Sequence, residues 1–413
     1  MIIEYSCNNF RSIGDEIRFS MVAGQDKFLE NNFYNVNELN VLKEATIYGA
    51  NGSGKSNFIK SLILLKKLVI NSTKLQPGDL MLIDPNKTLF DRNCEFQIHF
   101  ISNNIRFLYG LGYNANGVSD EFLYYYPNNR VAKIFDRENG VITYGEAFKK
   151  SLSGVERDFL KPNQLMLSAA ALYRNIDEIK SAFLFFNKDL VVYTAENDWD
   201  MYSASAASNP ELKSRFVDFM KRVGNRQIID IDSKVEESIV DASKLPPILR
   251  PDIQFMFEGS TARSINVKFQ YPSYELDLSE ESLGNQKLFA LFFQFMDIIL
   301  NNKVLLCDEL ETHLHPLIVK ELLTIFKENA RGAQLIFSTH DANLLDLSMF
   351  RRDQIWFTEQ KDNGFTDLYS LAELKSVRKD ENVTKNYLLG KYSGIPVINK
   401  DIKNSLLGES TNE

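Results

Sequence analysis

The sequence predicts an α/β fold with a parallel central sheet, on three observations. An apolar run, Ala45-Thr46-Ile47-Tyr48, leads into the glycine-rich stretch Gly49–Ser56, and a helical run, Asn57–Val69, leads out of it. A wholly apolar run, Val304-Leu305-Leu306-Cys307, ends in Asp308-Glu309. A third, Gln334-Leu335-Ile336-Phe337, ends in Ser338-Thr339-His340-Asp341. Short strands without polar alternation belong inside parallel sheets, buried on both faces. Such sheets bind ligands at the carboxyl ends of their strands.

The first run carries the most specific signal. Gly-Ala-Asn-Gly-Ser-Gly-Lys-Ser fits G-x-x-x-x-G-K-[ST] in the strand–loop–helix context that makes the pattern a phosphate cradle. Gly49, Gly52 and Gly54 allow tight turns that aim backbone N–H groups at one point. The helix that starts near Lys55 adds its positive end. Lys55 is placed to reach β- and γ-phosphates, and the Ser56 hydroxyl to ligate Mg²⁺. The predicted nucleotide contacts are Gly49, Asn51, Gly52, Ser53, Gly54, Lys55, Ser56 and Asn57. The second run supplies what such a loop lacks. Asp308 is placed to hold Mg²⁺, and Glu309 to orient or polarise an attacking water. A pair of carboxylates that merely caps the next helix is the weaker alternative once the loop is in view. His340, one strand over, falls within reach of a γ-phosphate.

The remaining elements follow in order. Residues 1–22 alternate as two strands about the turn Asn9-Phe10-Arg11-Ser12-Ile13-Gly14. Arg11 fits solvent better than a phosphate, since lone arginines usually lie at the surface. Residues 94–145 read as short strands separated by Asn103-Asn104 and Asn116-Gly117, an antiparallel subdomain inserted after the first helix. Residues 146–222 read as mostly helical, and 226–276 as strands broken by Pro246-Pro247 and Pro251. Asp230-Ile231-Asp232 reads as strand rather than metal site. Ser282 is a helix N-cap with Gly284 opening the backbone behind it, ahead of an apolar helix ending at Leu300. His313 and His315 precede Pro316 without partner ligands, so they read as structural. No heptad run predicts a coiled-coil arm. The expected divisions are an N-terminal half (1–93), the strand insert (94–145), a helical or mixed lobe (146–276) and a C-terminal half (277–413).

Composition narrows the class. Hydrophobic content of 44% and charged content of 25% are those of an ordinary globular chain. A net charge of −8 excludes a bulk polyanion binder. Cys7, Cys94 and Cys307 are too scattered for a metal quartet or disulfide framework. With no signal peptide and no long apolar run, a cytoplasmic protein without a membrane span is expected.

The order of these motifs resembles the ABC-type ATPases, in their SMC/RecF/OLD-like branch. Gly49–Ser56 looks like Walker A, Cys307-Asp308-Glu309 like the end of Walker B, and His340 like the switch histidine. Ser282-Leu283-Gly284 looks like a divergent signature motif, with Asn285-Gln286 in place of Gly-Gln. Leu167-Ser168-Ala169-Ala170, Leu314-His315-Pro316, Arg351-Arg352-Asp353-Gln354-Ile355-Trp356-Phe357 and Tyr387-Leu388-Leu389-Gly390-Lys391-Tyr392 extend the likeness. They are similar to stand-alone ATPase subunits of anti-phage defence, of the AbiL, RloA and PARIS types.

The resemblance implies a P-loop NTPase with an ABC-ATPase-like head, binding and hydrolysing ATP with Mg²⁺. It implies a head-to-tail homodimer in which Ser282 and Gly284 of one copy meet the γ-phosphate held by the other. It also implies a Q-loop glutamine at the metal, and Gln164 stands where one belongs. Relatives control a separate effector, often a nuclease encoded nearby, in response to a phage-derived trigger or nucleic acid. About 70 residues follow His340, too few for a nuclease domain of ~100 residues, so nuclease activity is expected elsewhere. The rival expectations are a RecF-like DNA-repair ATPase that clamps DNA, and an ATP-binding scaffold with little turnover.

Overall fold

A computed structural model describes residues 1–194, 200–225, 227–239, 261–374, 377 and 381–395. In chain order the first elements are β1 (Ile2–Asn8), β2 (Ile17–Ser20), β3 (Phe33–Val36), β4 (Leu39–Leu42), β5 (Glu44–Gly49) and α1 (Lys55–Asn71). Five strands follow: β6 (Cys94–Ser102), β7 (Ile105–Asn114), β8 (Gly117–Tyr125), β9 (Ala132–Glu138) and β10 (Val141–Tyr144). Helices α2 (Lys149–Leu152), α3 (Val155–Asp158), α4 (Met166–Tyr173) and α5 (Asp177–Leu184) lead to β11 (Leu190–Tyr193), α6 (Asp200–Ala207) and α7 (Pro210–Arg222). The last part holds β12 (Asp230–Ile239), β13 (Thr261–Gln270), β14 (Glu275–Asp277), α8 (Leu283–Asn301), β15 (Val304–Cys307), α9 (Pro316–Asn329), β16 (Gln334–Ser338), β17 (Ile355–Gln360), β18 (Thr366–Ser370) and α10 (Val383–Leu388).

These elements form two compact units, the first of residues 1–192, 302–310 and 330–413, the second of 193–301 and 311–329. The first unit is built on two sheets. A seven-stranded sheet has the order β10-β9-β8-β7-β6-β1-β2, and a six-stranded sheet the order β11-β15-β16-β5-β17-β18. In the second sheet β15, β16, β5 and β17 pair in parallel, and all residues of β5, β15 and β16 are buried. That burial on both faces is why these strands read as unbroken apolar runs.

Helix α1 joins the two sheets. Phe58 packs on Tyr5 and Phe19 of the seven-stranded sheet, and the Tyr5 hydroxyl donates to Ser61 Oγ at 2.8 Å. Phe19 in turn meets Trp356 of β17, ring centroids 4.9 Å apart. Ile59, Leu62, Leu65 and Val69 are buried in the same core. The phosphate-loop helix is therefore a core helix, and its position is fixed by bulk apolar burial.

The antiparallel strands of 94–144 differ from the expected insert. β6 pairs with β1, Tyr5 opposite Ile98, so these strands continue the sheet that β1 and β2 begin. The free edge of β1 would otherwise expose a row of unpaired backbone groups. The expected lobe at 146–276 is also divided: α2 to α5 stay with the first unit. Glu121 explains much of that. Its buried carboxylate accepts from the N–H groups of Met166 and Leu167 at the start of α4 and from the Tyr109 hydroxyl. Arg137 lies beside it at 3.9 Å and donates to the carbonyls of Gln164 and Pro162.

The second unit packs α6 to α9 with the three-stranded sheet β12-β13-β14. Phe216 of α7 meets Phe269 of β13 and Phe289, Phe292 and Phe293 of α8. Asp230 and Asp232 lie on β12, paired with Lys213 and Lys234, as their strand reading expects.

His99 generates a prediction. It is buried in β6, its Nε2 accepts from Arg106 Nε at 2.6 Å, and its ring stacks on Tyr126. Burial, then the Arg106 cation, lowers its pKa from 6.5 to about 4. A histidine held neutral by folding stabilises fully above the unfolded pKa, and that contribution is lost as pH falls through the folded one. Stability should drop by up to about 3 kcal/mol from this group as pH falls from 6.5 to 4. Urea midpoints for the parent and His99→Gln should converge over that interval.

Candidate active site

The loop between β5 and α1 is shaped by what stands behind it. Gly52 (φ 79°) and Gly54 (φ 112°) adopt left-handed backbone that residues with side chains rarely take. At Gly54 a Cβ would lie 2.2 Å from Thr366 Oγ1, and at Gly49 one would lie 2.3 Å from Thr358 Oγ1. Both threonines belong to the β17–β18 hairpin. Ser53 Oγ is 2.6 Å from Thr358 Oγ1, and Thr366 Oγ1 donates to the Ser53 carbonyl at 3.0 Å. Asn57 Nδ2 donates to Ser12 Oγ at 2.7 Å, and that oxygen lies 2.7 Å from Thr366 Oγ1. Asn51 and Gly52 stay exposed at the loop's crest, and Ser56 is half-buried at the start of α1. Lys55 is 5% exposed, and its Nζ donates to the carbonyls of Gly49 (2.8 Å) and Ala50 (3.1 Å). These two carbonyls solvate the ammonium, drawn back across the loop.

Strand register brings the carboxylates to the same edge. Cys307 is opposite Phe337, Ser338 opposite Ile47, and Thr358 opposite Gly49. Asp308 is therefore level with Ser338, two strands and roughly 10 Å from β5. The Ser338 hydroxyl donates to Asp308 Oδ1 at 2.5 Å and accepts from the Glu309 N–H at 2.8 Å. One buried hydroxyl thus fixes both residues. Glu309 has φ 52°, which turns the chain out of the strand and leaves the side chain exposed. Pairing with β5 persists to Thr339, whose N–H donates to the Ile47 carbonyl at 3.1 Å, and the exposed His340 follows immediately. The phosphate loop, Asp308, Glu309 and His340 thus share one edge of the six-stranded sheet.

Ser282 and Gly284 lie in the second unit, at the start of α8. Ser282 is exposed and its Oγ accepts from the Asn285 N–H at 3.2 Å, the N-cap geometry the sequence predicts. A Cβ at Gly284 would lie 3.0 Å from the His313 carbonyl oxygen. His315 Nδ1 accepts from the Leu317 N–H at 3.2 Å and so caps α9. Among the described residues no group of three or more His, Cys, Asp or Glu could hold a metal ion.

Gln164 is a correction. It is buried, and its Nε2 donates to the carbonyls of Thr73 (3.2 Å) and Leu75 (2.9 Å), just past the far end of α1. Ser56 and Ser72 are roughly 24 Å apart along that helix, so Gln164 cannot ligate a metal held by Ser56. Its amide is needed where it stands, because helix ends leave carbonyls without intrahelical partners. Arg11 is half-buried and pairs with Asp84 at 2.6 Å, an ion pair the solvent reading omits. Three site-building residues escaped the sequence reading. Ser338 had a signal, a hydroxyl closing an apolar strand before Thr-His-Asp. Thr358 and Thr366 had none, because nothing local marks a strand that will back onto a distant loop.

The donor set fits a hard divalent cation, which takes oxygen ligands such as the Ser56 hydroxyl and the Asp308 carboxylate. Ser338 occupies Oδ1 of that carboxylate, so a cation bound there would be held through Oδ2.

Comparison with known proteins adds the family. The family described as "AAA domain, putative AbiEii toxin, Type IV TA system" matches residues 45–346, nearly three quarters of the chain. No curated protein matches the chain. Solved structures that resemble it include an SmcHead bound to the C-winged helix domain of ScpA, at 16% identity and TM-score 0.43, covering 89% of this chain and 97% of that one. The SMC head domain from Thermotoga maritima follows at 13% identity and TM-score 0.40, covering 89% and 98%. The Smc head with an extended coiled coil, bound to the C-terminal domain of ScpA from Pyrococcus furiosus, has 13% identity and TM-score 0.42, covering 89% and 96%.

Removal of the bridging hydroxyl tests the carboxylate geometry. Ser338→Ala should lower stability by about 1.5–3 kcal/mol, the cost of a buried hydrogen bond to a charged group. Urea unfolding of the variant measures it, and an unchanged midpoint would mean that Asp308 and Glu309 are held by other means.

Proposed function

The chain belongs to this AAA-domain, AbiEii-type family, a P-loop NTPase with an ABC-ATPase-like head, and on that premise we propose that it is a Mg²⁺-dependent ATPase controlling a separate effector in anti-phage defence. The observation that carries the catalytic part is the Ser338 bridge, which fixes Asp308 and Glu309 on the sheet edge that also bears the phosphate loop.

Each residue then has a physical task. The loop N–H groups and the start of α1 bind the phosphates. Lys55 exchanges the Gly49 and Ala50 carbonyls for phosphate oxygens, so its charge moves from one set of acceptors to another. Ser56 and Asp308 would hold Mg²⁺, which when bound neutralises phosphate charge. Glu309 orients the attacking water and takes its proton as the water oxygen bonds to the γ-phosphorus. The bond from that phosphorus to the bridging β-oxygen breaks, and ADP and phosphate leave. His340 donates to a γ-phosphate oxygen. Catalysis on this scheme is positioning and charge, as phosphoryl transfer requires.

Ser282 and Gly284 belong to a second step. An exposed hydroxyl at the start of a 19-residue helix is an anion site in waiting. In an ATP-linked homodimer the Ser282 and Gly284 of one copy complete the γ-phosphate site of the other. Nucleotide then favours the closed dimer because only that state makes these contacts. The effector, a nuclease by analogy with similar systems, reads the closed state. Among the described residues no helix is long and apolar enough to cross a membrane.

Two substitutions test the scheme. Lys55→Ala should weaken ATP binding at least tenfold, read by titration calorimetry. Glu309→Gln should bind ATP with parental affinity, lose turnover by roughly 10²-fold or more, and accumulate as a dimer in light scattering. Parental hydrolysis by Glu309→Gln would overturn the role of Glu309.

A further inference from the structure

None of the residues given a task in the reaction lies in the 381–395 segment, yet this segment packs directly against the root of the phosphate loop. Tyr387 of α10 stacks on Phe357 of β17 at 5.5 Å and meets Tyr48 of β5 edge-on at 5.9 Å. Tyr48 immediately precedes Gly49, the residue at which β5 gives way to the loop. Tyr392 meets Phe357 from the same segment, centroids 5.9 Å apart, and its carbonyl accepts from the Tyr369 hydroxyl at 2.7 Å. Beyond it the chain turns through Gly394 (φ 66°), whose carbonyl accepts from the Tyr387 hydroxyl at 3.1 Å. A Cβ at position 394 would lie 3.7 Å from the Gly49 Cα and 3.4 Å from the Thr358 carbonyl oxygen. Position 394 is therefore seated on the first glycine of the loop.

The other end of the segment reaches a different part of the site. Asn382 caps α10, its Oδ1 accepting from the Lys385 N–H at 2.9 Å. Thr384 Oγ1 donates to the Leu345 carbonyl at 2.6 Å. Leu345 closes the short turn Ala342–Leu344 that follows His340 and is itself capped by Asp341. The segment thus holds two loops, one after β5 and one after β16.

We propose that residues 382–394 are a positioning brace of the nucleotide site, tying the loop after His340, through Thr384, to the root of the phosphate loop, through Tyr387 and Gly394. The inference rests on the ATPase reading for its functional meaning. Its physical content is narrower: the two loops are ordered by one shared segment, so loosening either attachment loosens the phosphate loop. Tyr387, Thr384 and Gly394 act through Gly49 and the His340 loop and are positioning residues. A partner that engages this segment would change nucleotide affinity without touching nucleotide.

Amide hydrogen exchange on the nucleotide-free full-length chain tests this directly. Tyr387→Phe removes only the hydroxyl that holds Gly394. Gly394→Val drives two methyl groups toward Gly49, and Thr384→Val cuts the tie to Leu345. Each should speed exchange in the 45–56 peptide several-fold and leave the 94–114 peptide unchanged. Leu389→Ala, at an exposed position of the same segment, should change neither. The first two variants should also bind ATP about tenfold more weakly, a difference of about 1.4 kcal/mol, and re-adding bulk as Tyr387→Trp should not rescue the lost hydroxyl. Parental exchange in the 45–56 peptide of Tyr387→Phe and Gly394→Val would overturn the brace. A parent that binds no ATP would instead overturn the ATPase reading, and the exchange comparison would still decide the brace.

Discussion

Parallel pairing of β5 with β16, and of β16 with β15, is the constraint from which the site follows. Parallel strands end on the same side, and their register sets which residues emerge together. Here it makes Asp308 level with Ser338 and Ser338 level with Ile47, so that the loop after β5 opens beside the carboxylates after β15. A shift of one residue along β15 would bury a carboxylate in an apolar layer or withdraw it from the edge. The Ser338 hydroxyl completes the constraint: it ties Asp308 to the Glu309 backbone and holds Glu309 in a left-handed conformation that few non-glycine residues adopt.

The same sheet supplies rigidity from behind. Two threonines of the β17–β18 hairpin fill the space a side chain would need at Gly49 and Gly54. Phe58 seats helix α1 on Tyr5 and Phe19 of the seven-stranded sheet, and Phe19 in turn meets Trp356 of the six-stranded one. The loop, exposed at Asn51 and Gly52, is thereby mounted on buried supports, the arrangement that keeps a binding site ordered before its ligand arrives. Lys55 is the buried cation of this frame, its Nζ donating to the carbonyls of Gly49 and Ala50.

The chain's two units divide the proposed chemistry between them. Phosphate binding, the carboxylates and His340 belong to the first, and the Ser282–Gly284 helix start to the second. The proposed nucleotide-linked dimer would give that division a use, because it would couple assembly to occupancy of the phosphate site.

The fold class, and the strand ends that carry most of the candidate site, were legible because they depend on local chemistry. Glycine spacing before a lysine, apolar runs ending in carboxylates, and a serine preceding a helix each report a strand end or a helix start within a few residues. The sequence by itself thus determined the parallel sheet and the strand ends at which Gly49–Ser56, Asp308–Glu309 and His340 lie. Tertiary structure decided what depends on contacts between distant segments. It joined 94–144 to β1 because an open strand edge needs a partner. It sent Gln164 to the far end of α1, where carbonyls lacked donors, although its position in the chain suggested a metal ligand. It also chose Thr358 and Thr366 as supports, residues whose importance is set by what lies across a packed interface and therefore leaves no trace in their immediate neighbours.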